Sequence, residues 1–81
     1  MKIKKLGASK TLLSFPDKEI FISYETPVAA RFSNGDCIRT KTNWSKTTQK
    51  HITQWLSGLK AKSVDQSILD NLVSRLETLE D

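Results

Sequence analysis

Asn34-Gly35 sits between two strand-like runs, residues 28–32 and 36–40. Asn-Gly accepts positive φ at both central positions of a type I′ turn, and such a turn joins antiparallel neighbours. The chain is therefore expected to contain an antiparallel hairpin. A type I′ turn here sets Phe32 against Cys37, Arg31 against Ile38 and Ala30 against Arg39. One face then offers Val28, Ala30, Phe32 and Cys37, the other Arg31, Ile38 and Thr40, because side chains alternate along a strand. The small Ala29 and Ala30 leave room for a helix to pack closely.

Further strand signals precede this hairpin. Residues 2–6 alternate imperfectly and end at Gly7-Ala8-Ser9. Residues 11–15 are richer in β-branched and aromatic side chains. Pro16-Asp17-Lys18-Glu19 reads as a turn, since proline presets φ and aspartate favours turn hydrogen bonds. Ile20-Phe21-Ile22-Ser23-Tyr24 is a buried strand by composition. A new strand starts at Pro27 or Val28, where a missing amide proton is tolerated.

The pattern then changes to helical spacing. Ser45 is a good N-cap, and Ile52, Trp55, Leu56 and Leu59 form a core-facing stripe that Gly58 ends near Ser57. Lys46, Lys50, Thr53 and Gln54 lie off that stripe, toward water. Ser63-Val64-Asp65-Gln66 has capping-box spacing. Behind it Val64, Ile68, Leu69, Leu72, Val73, Leu76 and Leu79 recur at helical intervals. Leu69, Leu72, Leu76 and Leu79 also match two a/d heptads. Packing on the sheet is the expected use, and a homodimer through the C-terminal helix is the alternative. The predicted architecture is α+β in a single domain, residues 1–81. An antiparallel meander of four to five short strands is followed by two helices packed on one face.

Cys37 is the only cysteine, so no intrachain disulfide forms, and a reducing compartment is the simplest reading. No apolar run approaches the roughly 18–20 residues of a membrane span, and no long apolar segment follows the basic start. A cytoplasmic protein is expected. The net charge of +4 is unevenly spread. Residues 1–41 carry eight Lys/Arg and four Asp/Glu, residues 42–62 four lysines and no acid, and residues 63–81 one arginine and five acids. The acid-free middle segment attracts phosphate or an acidic partner.

The candidate site follows from that segment. A helix start has unpaired amides and a partial positive charge, which favour a phosphate or carboxylate. Ser45, Thr47 and Thr48 add hydroxyls, Lys46 and Lys50 add charge, and Arg39 and Lys41 arrive from the preceding strand. Trp44 is placed to stack on a base or to staple the helix to the core. Ser45 and Thr48 have capping as their alternative role. His51 and Tyr24 are candidates for a small hydrolase or nuclease, but a general base needs a nucleophile and an orienting acid that the sequence does not place. Cys37 reads as a small apolar residue. One His and one Cys do not make a zinc site. No cofactor is expected. Lys2, Lys4, Lys5, Lys10 and Arg31 extend the basic residues across the sheet without any nucleic-acid motif.

Ser23-Tyr24-Glu25-Thr26-Pro27-Val28-Ala29, then Trp44-Ser45-Lys46-Thr47-Thr48-Gln49-Lys50-His51-Ile52, resembles a pattern in small uncharacterised bacteriophage proteins, S-Y-x-T-x-V-A followed by S-x-T-T-x-K-H. The likeness spans about residues 20–57. It implies a viral or mobile-element origin and action in the host bacterial cytoplasm, and it transfers no catalytic residue. By class association it also implies a binder. The expected function is a non-enzymatic protein that contacts phosphate-bearing nucleic acid through Arg39, Lys41, Trp44, Ser45, Lys46, Thr47, Thr48 and Lys50. The alternative is an inhibitor that blocks a host protein such as a defence (anti-CRISPR-like) nuclease complex.

Overall fold

Short turns between consecutive strand-formers give a meander of β1 (Lys2–Gly7), β2 (Lys10–Phe15), β3 (Lys18–Ser23), β4 (Thr26–Phe32) and β5 (Cys37–Thr40), followed by α1 (Lys46–Leu56), β6 (Lys62–Val64) and α2 (Gln66–Glu80). The computed structural model describes residues 2–80, and side chains within residues 2–73. All six strands form one sheet in sequence order. The first five pair antiparallel and β6 lies parallel to β5. The α+β class and the meander are as expected.

β6 was not expected. A parallel return to β5 needs a long crossover, and α1 is that crossover. Ser63 and Val64 therefore belong to a strand, and α2 begins two residues later than the capping-box spacing predicts.

The hairpin register is also corrected. Ala29 faces Arg39, Ala30 faces Ile38 and Arg31 faces Cys37. Asp36 N–H donates to the Asn34 side-chain oxygen at 2.9 Å, and Phe32 N–H donates to the Asp36 carbonyl at 2.8 Å. The loop is thus three residues wide, and of Asn34 and Gly35 only Gly35 has positive φ, 97°. Cys37 consequently shares a face with Ala29 and Arg31, not with Ala30 and Phe32.

The two helices do not share a face, which corrects the predicted packing. Ile20 and Phe21 are consecutive in β3 and point to opposite sides. Ile20 packs with Ala30 and Leu69 of α2, bordered by Leu13, Ile38 and Leu72. Phe21 packs with Ala29, Cys37, and Ile52 and Leu56 of α1. A β-bulge sets Phe21 opposite Ala29 and Ile22 opposite Pro27, leaving Val28 unpaired. Val28 joins Ala29 on the α1 side as a result. Each small alanine therefore admits one helix. The Trp55 ring stacks on Phe21 with centroids 5.1 Å apart, and Arg31 lies 4.6 Å above it while pairing with Glu19 at 2.7 Å.

Burial falls away from this centre. Leu59, predicted in the core stripe, lies beyond the end of α1 and is 49% exposed, and Ile68 is 45% exposed. The side chains of Leu76 and Leu79, and with them the heptad reading, lie outside the described residues. β1 is an open edge strand on which Ile3 is 66% exposed. Among the described residues, no helix is long and apolar enough to cross a membrane.

Candidate functional site

The first turn of α1 has two sides with different chemistry. Its inner side is built by the cap. Ser45, in extended backbone, accepts the Thr48 N–H at 3.1 Å and donates its own hydroxyl to Thr48 Oγ1 at 3.2 Å. Thr48 is buried against the sheet, where its hydroxyl lies 3.4 Å from Ser23 Oγ. Ser23 Oγ is in turn 3.1 Å from Nδ1 of His51. The network draws on β3, the cap and two turns of α1, and no buried side-chain nitrogen or oxygen among the described residues lacks a partner. Thr48 is therefore committed to the fold, because an unmet buried hydroxyl costs about 1–3 kcal/mol, and Ser45, itself exposed, is engaged as its cap.

The outer side carries no such commitments. Lys46, Thr47 and Lys50 point away from the sheet and are exposed. With Asn43, Gln49 and Thr53 they line a broad, shallow surface. Among the described residues neither lysine forms an ion pair. Arg39 reaches this surface from β5 and donates to Gln49 Oε1 at 2.6 Å. Gln49 is neutral, so that bond orients the guanidinium without cancelling its charge. Lys41 differs, because it pairs with Asp65 at 2.6 Å in an exposed contact.

Trp44 stands just before the cap, half exposed, with its indole N–H donating to Gln66 Oε1 at 3.0 Å. Gln66 is held by donating to the Pro27 carbonyl at 2.7 Å. The tryptophan is thus braced from α2 rather than packed into the core as a staple.

The structure places Lys46, Thr47 and Lys50 on one exposed surface, brings Arg39 to its border through Gln49, sets Trp44 on a separate hollow beside the cap, buries Thr48, engages the exposed Ser45 as the cap, and pairs Lys41 with Asp65. Tyr24 lies beside His51, with ring centroids 6.2 Å apart, as the hydrolase alternative requires. Ser23, the hydroxyl bonded to that histidine, is only 2% exposed. Cys37 sits in the apolar cluster beneath α1. Among the described residues no three His, Cys, Asp or Glu side chains gather where a metal ion could sit.

Sequence reasoning missed Gln49, Gln66 and Ser23. Gln49 follows a helix start and Ser23 interrupts an apolar strand. Both are local oddities, but their partners lie 10 and 28 residues away and are set by topology.

No curated protein and no solved structure matches the chain significantly. Residues 1–71 match a family described as a family of unknown function, DUF8033. That span takes in every strand, all of α1 and both sides of the candidate site, and the chain belongs to this family.

Proposed function

We propose that the chain is a non-enzymatic binding protein whose α1 start contacts the phosphates of nucleic acid. The observation that carries this reading is the exposed outer side, where Lys46 and Lys50 form no ion pair among the described residues and stand near Arg39 and Thr47. Clustered cations on one face are the electrostatic footprint of a phosphate backbone. Ser45 and Thr48 serve this surface by fixing the helix, not by touching the ligand. The burial of Ser23 supports a structural histidine at position 51. The bacteriophage resemblance supports action in a host bacterial cytoplasm.

A fluorescence anisotropy titration of a labelled oligonucleotide over a salt series tests the reading. Three phosphate contacts by Arg39, Lys46 and Lys50 predict a log–log slope of about −2 on a single strand. No binding at low salt, or affinity indifferent to salt, removes it.

A protein-blocking role is the second reading, favoured by the open edge of β1 with exposed Ile3 and Leu6. Edge strands recruit partner strands. A host protein retained on the chain after nuclease treatment, and released by Ile3→Lys, would support it.

A further inference from the structure

A second feature adjoins the basic surface and has a different chemistry. A cavity of about 180 Å³ opens between the β3–β4 turn and the α1 cap, lined by Ser23, Tyr24, Thr26, Trp44, Ser45 and Thr48. Two aromatic side chains on its lining are exposed, Tyr24 at 56% and Trp44 at 50%. These two rings border the same hollow. Both are held. The Tyr24 N–H donates to the Ser9 carbonyl at 2.6 Å, and the Trp44 indole is braced by Gln66. Tyr24 has φ of 59°, at the first position of a two-residue turn where glycine is usual. That backbone costs about 1–3 kcal/mol in a residue with a side chain. The turn thus carries an aromatic where glycine would relieve the backbone strain. The hydroxyls of the floor, those of buried Ser23 and Thr48 and of exposed Ser45, are bonded among themselves. The walls are therefore what remains for a ligand.

We propose that this notch takes one unstacked base of a single-stranded nucleic acid, with Tyr24 and Trp44 as the stacking surfaces. The cavity is smaller than the roughly 300 Å³ at which sites for drug-sized ligands begin, so it suits a single ring system rather than a whole nucleotide. A duplex keeps its bases stacked inside and cannot offer one. The proposal rests on the phosphate reading above, since the cations flanking Trp44 along α1 would hold the backbone while the notch holds the base. It adds a preference for single strands, which phosphate contacts alone do not produce.

The test compares three labelled probes of equal length, a mixed-sequence single strand, an abasic single strand and a duplex, on wild type and on Tyr24→Gly. Glycine adopts positive φ without strain, so this variant removes the ring and keeps the turn. Thermal melting confirms that it folds. The single strand should bind Tyr24→Gly about 5- to 150-fold more weakly, the range expected for one stacked base. The abasic strand and the duplex should bind both proteins alike, and Tyr24→Phe should match wild type on all three. Equal wild-type affinity for the base-bearing and abasic strands, or no loss in Tyr24→Gly, overturns the notch and leaves the phosphate reading standing. Failure of wild type to bind any of the three probes overturns both.

Discussion

The inner and outer sides of the α1 start are drawn from one short stretch, and the sheet divides them. Inside, Thr48 and the cap of Ser45 join Ser23 and His51 in a closed set of hydroxyl and imidazole contacts. Outside, Lys46, Thr47 and Lys50 face solvent. Residue type alone does not separate them. Thr47 and Thr48 are adjacent and identical, yet one is exposed and the other is 4% exposed. On a helix, neighbours point about 100° apart, so the position of the sheet decides which threonine becomes structure and which becomes surface.

The division predicts that inner substitutions lower stability and leave the salt dependence of binding alone, and that outer ones do the reverse. Ile52→Ala should have the largest effect, about 2–5 kcal/mol by denaturant unfolding, since Ile52 is wholly buried beneath α1. For a domain of this length that is a large share of the total. Thr48→Val should cost about 1–3 kcal/mol, because it removes the acceptor of the Ser45 hydroxyl and a neighbour of Ser23. Ser45→Ala should cost about 1 kcal/mol through loss of the cap. A Ser45→Ala protein that keeps its stability but loses oligonucleotide binding would move the cap to the outer group. Smallest of the stability effects, Lys41→Gln should change unfolding by less than about 1 kcal/mol, as expected for an exposed ion pair.

What was readable in the sequence was local. The first five strands, the α1 cap at Ser45 and its αL end near Ser57 all rest on signals a few residues long, and they appear within a few residues of where expected, although Lys18 and Glu19, read as turn, open β3 and Tyr24, read as strand, lies in the turn after it. The faces were less readable. Ile20-Phe21-Ile22 and Val28-Ala29-Ala30 are continuous apolar runs rather than alternating ones. Such runs mark strands covered on both sides. Assigning both helices to one face overlooked that signal. β6 is three residues long, too short for any period to register, and it forms because α1 returns the chain alongside β5. The hairpin register turned on one side-chain hydrogen bond, from Asp36 N–H to Asn34, which widens the loop. At the site, charge and exposure were legible for Lys46, Thr47 and Lys50. The withdrawal of Thr48 and the pairing of Lys41 with Asp65 were not, because both depend on contacts across the fold.

The central claim is that the outer side of α1 holds phosphate while the inner side only holds the helix. The most direct measurement is the salt dependence of single-strand binding by Lys46→Gln/Lys50→Gln, with unfolding followed in parallel. Losing two phosphate contacts should make the log–log slope shallower by about 1.4. Stability should stay within about 0.5 kcal/mol of wild type, as for surface substitutions. An unchanged slope with unchanged affinity would contradict the account.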